Sequence, residues 1–119
     1  MRYMLLIYLD ENALTPAQRD QCYKDSAAYA CQLNKTGHFL GTAPLYPTST
    51  ATSVRVQDDK RLVVTDGPFA ETREQLGGFF MINAKDLDEA IDIAGRIPAG
   101  RWGTVEIRPV IEVEGLPDK

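Results

Sequence analysis

This 119-residue chain takes its fold from two stretches, Tyr3-Met4-Leu5-Leu6-Ile7-Tyr8-Leu9 and Gly77-Gly78-Phe79-Phe80-Met81-Ile82-Asn83-Ala84. Each stretch is apolar at both alternating sets of positions, which is typical of a strand whose sheet is covered on both faces. Helices can cover one of those faces. The other face needs a cover of its own, so the sheet of a single chain is expected to be open on one side.

The first helix is predicted from its start signal. In Thr15-Pro16-Ala17-Gln18, the Thr can cap, the Pro suits the first helical position and the Gln completes a capping box. Gly37 is a natural helix stop, so we expect a helix from about 16 to 36. One stripe at helical spacing comprises Cys22, Tyr23, Ser26, Ala27, Ala30 and Leu33.

A second helix follows the second apolar strand. Asp86 is its predicted cap, and Pro98 is predicted to end it. Its apolar stripe, spaced at i, i+3, i+4 and i+7, comprises Leu87, Ala90, Ile91 and Ala94.

The remaining strands complete an α+β plan. We predict a strand at 38–45, a β-hairpin at about 53–65 whose arms are 53–57 and 61–65, and a last strand at 103–113. The order is that of a ferredoxin-like split βαβ fold with an inserted β-hairpin, in which an antiparallel sheet carries two helices on one face. Residues 1–119 are expected to form one domain. A second copy would cover the open sheet face, so we predict a homodimer, a dimeric α+β barrel.

Charge and cysteine content exclude several function classes. The net charge of −4 disfavours binding to nucleic acid or to an anionic membrane surface. No stretch approaches the length of a membrane span, and we expect a cytoplasmic protein. Cys22 and Cys31 are about 13 Å apart along one helix, too far for a disulfide, and are expected to be buried free thiols in a reducing compartment. With His38 as the single histidine, no metal cluster is expected.

The run Val63-Val64-Thr65-Asp66-Gly67-Pro68-Phe69-Ala70-Glu71-Thr72-Arg73-Glu74-Gln75-Leu76-Gly77-Gly78-Phe79-Phe80 resembles the DGPF branch of the YCII-related family. The opening at residues 2–8 and the stretch 103–110 match the same branch. The resemblance covers nearly the whole chain and implies a dimeric α+β barrel. Some members of the broader family carry a His on the first helix that is proposed to act with an Asp. The corresponding position here is about Ser26, so that dyad cannot be carried over.

The motif itself supplies candidate site residues. Asp66-Gly67-Pro68 reads as a turn that either only connects the hairpin to the next strand or projects the Asp66 carboxylate into a cleft, as a base or a polar contact. Glu71 and Glu74 either cap, pair with Arg73 or line the same cleft. His38 is a second proton-transfer candidate or a residue that suits a helix C-terminus. The predicted ligand-binding set is Tyr8, Ser26, Gly67, Pro68, Phe69, Glu71 and Arg108, with Tyr23 and Tyr29 as further pocket candidates.

Two functions follow as hypotheses. The first is the binding of a small molecule in a cleft of the barrel. If the protein is also an enzyme, this hypothesis predicts a cofactor-free isomerase or lyase reaction that uses Asp66. No GxGxxG, P-loop, GxSxG or metal-ligand pattern occurs, so no cofactor is predicted. The second, implied by the resemblance, is a non-catalytic accessory protein associated with an extracytoplasmic-function sigma factor, with Phe69 as a contact anchor. In a third reading, the motif only fixes the hairpin and the ligand binds elsewhere.

Overall fold

The two doubly apolar stretches form the central strands of a four-stranded antiparallel sheet. The computed structural model describes residues 1–117. Its strands are β1 (Arg2–Leu9), β2 (Phe39–Pro44), β3 (Thr52–Val56), β4 (Leu62–Asp66), β5 (Gln75–Asn83) and β6 (Gly103–Pro109), and its helices are α1 (Pro16–Lys35) and α2 (Leu87–Ala94). The sheet order is β2-β5-β1-β6, while β3 and β4 pair only with each other. The predicted ferredoxin-like α+β fold with an inserted hairpin is therefore confirmed.

Both helices begin at the capping residues that the sequence predicts. At α1, Thr15 Oγ1 accepts a hydrogen bond from Gln18 N at 3.1 Å, and Gln18 Oε1 accepts one from Thr15 N at 2.9 Å. At α2, Asp86 accepts from Glu89 N at 2.9 Å. These bonds satisfy amide groups that the first turn of a helix leaves without partners. None of the helices within residues 1–117 is long and apolar enough to cross a bilayer.

The core lies between the helices and one face of the sheet. Leu5, Phe80 and Ile82 are its largest fully buried side chains. Burying a side chain of this kind stabilises the fold by about 1.5–3 kcal/mol. The buried residues that surround them are Tyr3, Ile7, Leu9, Leu14, Tyr29, Leu33, Ala84, Ala90, Ile93, Ala94, Ile97 and Ala99.

The opposite face of the sheet has no helix over it. Its central residues are half-buried side chains of β1 and β5, namely Met4, Leu6, Tyr8, Phe79 and Met81. An apolar sheet face of this kind is costly to leave in water. The homodimer through this face stays a prediction.

The inserted hairpin has the predicted position, within one residue at each end. The pairs Val54–Val64 and Val56–Leu62 lie opposite each other across its two strands. These four side chains are between 60% and 64% exposed, so one face of the hairpin is apolar and in contact with water.

Four sequence predictions are wrong in detail. The last strand ends at Pro109 and not at 113, because Pro109 pairs with Tyr3 and β1 has only Arg2 left beyond that pair. The α2 stripe is rotated, so that Leu87 and Ile91 are exposed and Ile93 is buried. The helix also ends at Ala94, before Pro98. Cys31 is exposed, whereas Cys22 is partly buried as expected.

Candidate functional site

A cavity of about 250 Å³ lies between α1 and the part of the sheet formed by β1, β2 and β5. Most of its lining is apolar and comes from strands, from α1 and from the loops that flank them. The lining residues are Ile7, Leu9, Glu11, Leu14, Arg19, Cys22, Tyr23, Ser26, Ala27, Thr42, Ala43, Pro44, Leu45, Gly77, Gly78, Phe79, Phe80 and Ala99.

The cavity exists because α1 is not packed tightly against the sheet along its whole length. Its two buried side chains, Tyr29 and Leu33, both lie in its second half. The middle of the helix presents the small side chains of Ser26 and Ala27 to the cavity. A Cβ on Gly78 would lie 2.9 Å from the Ala43 carbonyl oxygen, so glycine is required for β5 to approach β2 at this point.

Internal hydrogen bonds hold the polar end of the cavity together. The Glu11 carboxylate accepts from Thr48 N at 2.9 Å and from Thr48 Oγ1 at 2.6 Å. Arg19 Nη2 donates to the Glu11 carbonyl at 2.9 Å. Thr42 Oγ1, on the sheet side, donates to the Phe79 carbonyl at 2.7 Å. The loop before α1, the loop after β2 and the helix itself are thereby joined at one end of the cavity.

Cys22 lies on the helical wall next to Ser26. Burial raises the pKa of the Cys22 thiol, and the neighbouring Ser26 side chain opposes that change in part. Desolvation disfavours the thiolate, so the thiol is held in its neutral, weakly nucleophilic form at neutral pH.

Two of the predicted pocket residues line this cavity. Ser26 faces it from the middle of α1, and Tyr23 stands at its edge. Tyr29 does not line it, because its ring is buried against Phe80 and its hydroxyl donates to the Ile93 carbonyl at 2.7 Å.

The structure places the DGPF residues elsewhere. Asp66 is exposed at the end of β4, and Gly67 takes the positive φ of +95° that the turn requires. Gly67 N donates to the Ala51 carbonyl at 2.7 Å, which fixes the exit from the hairpin. Pro68 is half-buried and Glu71 is exposed on the following loop. None of these four residues is part of the cavity lining.

Tyr8 and Phe69 come together in a second place, a shallow cleft on the open face of the sheet. Phe69 is 86% exposed and meets the end of β1 there. Glu74, in the same cleft, accepts a hydrogen bond from Thr104 Oγ1 at 2.9 Å. Arg108 lies on the same open face, exposed on β6 and outside the cleft lining.

His38 lies at neither of these places. Its Nδ1 is 2.7 Å from Thr36 Oγ1, and its Nε2 is 3.3 Å from Glu89 Oε1. These contacts link the end of α1 to the first turn of α2. The predicted site residues thus fall into separate locations, and their functional roles stay predictions.

Glu11, Arg19 and Thr42 line the cavity, and no pattern in the sequence selects Glu11 or Thr42. A signal for Arg19 was present, because it lies four and seven residues before Tyr23 and Ser26 and so shares their helical face. Glu11 has no such pattern, since it belongs to a short turn whose direction depends on its bonds to Thr48.

Comparison with known proteins extends this description. The family model of the YCII-related domain matches residues 1–114. An uncharacterised protein of Rhizobium meliloti (strain 1021) is 35% identical over 115 residues, which cover 92% of this chain and 92% of that protein. A solved structure of 5-chloro-2-hydroxyhydroquinone dehydrochlorinase from Burkholderia phenoliruptrix AC1100, in complex with 2,5-dihydroxybenzoquinone, matches with a TM-score of 0.60 and 18% identity over 96% of this chain and 97% of that one. At that identity the likeness concerns the fold alone.

Proposed function

This chain belongs to the family of YCII-related domains, and we propose that it binds a small single-ring organic compound in the cavity beneath α1. The observation that carries the proposal is a cavity with apolar walls and a few convergent polar groups at one end, which is the usual make-up of a ligand site. Its volume of about 250 Å³ is below the roughly 300–1,000 Å³ of typical ligand pockets, which favours one ring over a nucleotide.

The dehydrochlorinase of similar fold supports the size class of the ligand. It is an enzyme in complex with 2,5-dihydroxybenzoquinone, a single-ring compound. Fold similarity alone carries no reaction from one protein to another. The argument for this chain therefore rests on its own cavity.

A cofactor-free isomerase or lyase reaction is the catalytic form of this proposal. Glu11 supplies the carboxylate of the cavity lining, and we assign the proton transfer to it because each of its oxygens can accept beyond the bond from Thr48. Asp66, the carboxylate predicted from the motif, is exposed on the hairpin and would need another element to bring a ligand to it. Membership of the DGPF branch and an accessory role beside a sigma factor stay predictions of the sequence.

We also propose the homodimer through the open face of the sheet. The half-buried side chains of β1 and β5 on that face support it, because a second copy of the same surface would remove them from water. The cleft that contains Tyr8 and Phe69 would then lie at or beside the interface.

Adjacent alanines on α1 provide a matched test of the cavity. Ala27 lines it and Ala28 does not, although both are exposed helical residues. We expect Ala27→Phe to fill the cavity and Ala28→Phe to leave it open. The measurement is a thermal-shift screen of wild type and both variants against small phenols, lactones and carboxylic acids.

A ligand at a hundredfold excess over its Kd stabilises the folded state by about 2.7 kcal/mol. The proposal expects that shift in wild type and in Ala28→Phe, and its loss in Ala27→Phe. A ligand whose shift survives Ala27→Phe binds elsewhere and contradicts the proposal.

The carboxylates are then separated by two isosteric changes, Glu11→Gln and Asp66→Asn. Each variant is incubated with the ligand found in the screen, and its ultraviolet spectrum is followed for turnover. Loss of turnover only in Glu11→Gln assigns the proton transfer to the cavity. Loss of turnover only in Asp66→Asn assigns the proton transfer to Asp66.

A further inference from the structure

The polar side chains of the cavity differ in how far they are already bonded. Six polar or charged residues line it. Both oxygens of the Glu11 carboxylate accept from Thr48, and the Thr42 hydroxyl donates to a strand carbonyl. Cys22 is a weak donor, and the Ser26 side chain beside it is short. The two long side chains that remain are Arg19 and Tyr23, which carry the strongest donors for a ligand.

Arg19 is a half-buried cation at the polar end of the cavity. One of its N–H groups is used by the Glu11 carbonyl. Among residues 1–117, no carboxylate lies within ion-pair distance of its guanidinium. A guanidinium has five N–H donors in a planar fork, so most of its donors are left for another partner. A positive charge beside apolar walls interacts more strongly with an anion than it would in water.

Tyr23 lies one helical turn after Arg19, on the same face of α1. It lines the cavity and is 42% exposed, so its side chain is in contact with both the cavity and solvent. A phenolic O–H can donate to the second oxygen of an anion that the guanidinium holds. The apolar walls formed by Leu9, Leu14 and Phe80 contact the ring of the ligand.

We propose that the cavity selects a ring compound that carries one carboxylate, with Arg19 as its anchor and Tyr23 as a second donor. This inference rests on the proposed function and adds the charge of the ligand to it. The planar fork of Arg matches a carboxylate in two parallel hydrogen bonds, which makes the contact specific as well as strong. The Glu11 carboxylate is held by Thr48 and lies beyond ion-pair distance of the Arg19 guanidinium.

The test uses pairs of acids and their neutral amides, namely benzoate with benzamide, salicylate with salicylamide and cyclohexanecarboxylate with its carboxamide. Their affinities are measured by titration calorimetry. We expect at least one acid to bind wild type about tenfold or more tightly than its amide. Arg19→Gln should weaken that acid by about ten- to a hundredfold and leave its amide unchanged.

Two further variants distinguish a direct contact of Arg19 with the ligand from an effect of net charge and from a loss of folding. Arg101→Gln removes the same charge from an exposed residue that is close enough to affect the Cys22 pKa but does not line the cavity, so the acid should still bind. Arg19→Lys keeps the charge and loses the fork, so affinity for the acid should fall between those of wild type and Arg19→Gln. Circular dichroism checks that each variant is folded.

Three outcomes overturn the inference. The first is equal affinity for acids and amides, with both lost in Ala27→Phe; the proposed function then stands without a charge preference. The second is an equal loss in Arg19→Gln and Arg101→Gln, which reduces the effect to net charge. In the third, none of the acids binds, and the proposed function is then judged on the neutral ligands of the thermal-shift screen.

Discussion

The cavity beneath α1 and the hairpin formed by β3 and β4 differ in how their apolar residues are exposed to water. The cavity lies between α1 and the sheet, and buried residues of the main core, among them Ile7, Leu9 and Phe80, form part of its lining. The hairpin pairs only with itself and exposes Val54, Val56, Leu62 and Val64 on one face. The most distinctive stretch of the sequence begins in the hairpin and reaches the cavity only at its end, where Gly77, Gly78 and Phe80 line it. The turn that gives the motif its character, residues 66–69, lies outside the cavity lining.

The difference has a physical origin. An isolated two-stranded hairpin is marginally stable in water, so it needs another surface or strong local turns. Here the turn bonds of Asp59 to Arg61 N and of Gly67 N to Ala51 hold its two ends. The cavity needs no such local support, because the sheet and the helix that form it are stabilised by the core on either side of it.

The largest contrast is expected between two phenylalanines. Phe80 is 1% exposed in the core and Phe69 is 86% exposed after the hairpin. Phe80→Ala should lower the free energy of unfolding by about 3–5 kcal/mol through lost burial and a new cavity. Phe69→Ala should change it by no more than about 0.5 kcal/mol. Urea unfolding of both variants measures this, and a large cost at Phe69 means that another surface covers the motif.

The open face of the sheet and the apolar face of the hairpin can be compared by their effect on homodimer association. We expect Leu6→Asp, on the open sheet face, to weaken homodimer association by about thirtyfold or more, the equivalent of about 2 kcal/mol. Val64→Asp places the same charge on the hairpin and should leave the dimer intact. Sedimentation equilibrium at several concentrations distinguishes them. If Val64→Asp separates the copies and Leu6→Asp does not, the hairpin is the interface.

Alkaline pH tests the contact between α1 and α2 on the core side. Burial raises the pKa of the Tyr29 hydroxyl above its usual value near 10, so the folded state holds this proton more tightly than the unfolded state. The stability contribution is complete below about pH 10 and is lost as pH rises through the folded pKa. Tyr29→Phe should remove that part of the pH dependence.

The same substitution should cost only about 0.5–1.5 kcal/mol at neutral pH, because the Ile93 carbonyl keeps the hydrogen bond from Arg96 N. Tyr46→Phe, at an exposed tyrosine, is the control and should keep the wild-type pH profile. Chemical unfolding at pH 7 and above pH 10 measures both variants. An unchanged alkaline profile in Tyr29→Phe would assign the effect to another group.

The smallest effect concerns reaction rates alone. Cys31 is exposed, whereas burial raises the pKa of the Cys22 thiol in the cavity wall. A thiol-specific reagent at pH 8 should modify Cys31 first, because Cys31 is exposed and burial disfavours the thiolate of Cys22. Mass spectrometry of Cys22→Ser and Cys31→Ser gives the two rates. A cavity ligand should slow Cys22 further and leave Cys31 unchanged, and equal protection of both cysteines would place the ligand elsewhere.

Much of the fold was predictable because its signals are local. The Thr15 and Gln18 capping box, the Asp86 cap and the doubly apolar strands depend on neighbouring residues and appear in the structure as expected. The errors concern features that depend on residues distant in the sequence. The last strand stops at Pro109 because β1 provides no further partner, and α2 turns Ile93 inward because the short helix packs through that side.

The candidate site was predictable only in part. Ser26 and Tyr23 were selected from the α1 stripe and line the cavity. Thr42 and Glu11 were not selected, because a strand residue and a turn residue reveal no partner in the linear order of the chain.

By itself, the sequence determined the order of strands and helices, the helix starts and the family, since each depends on residues that are close along the chain. Tertiary structure decided that α1 leaves a cavity over β5, that Arg19 and Tyr23 face it, and that the hairpin carries Asp66 away from it. Those outcomes depend on which distant elements pack together, and packing leaves space only where small side chains from separate parts of the chain meet, as Ala27, Ala43 and Gly78 do here.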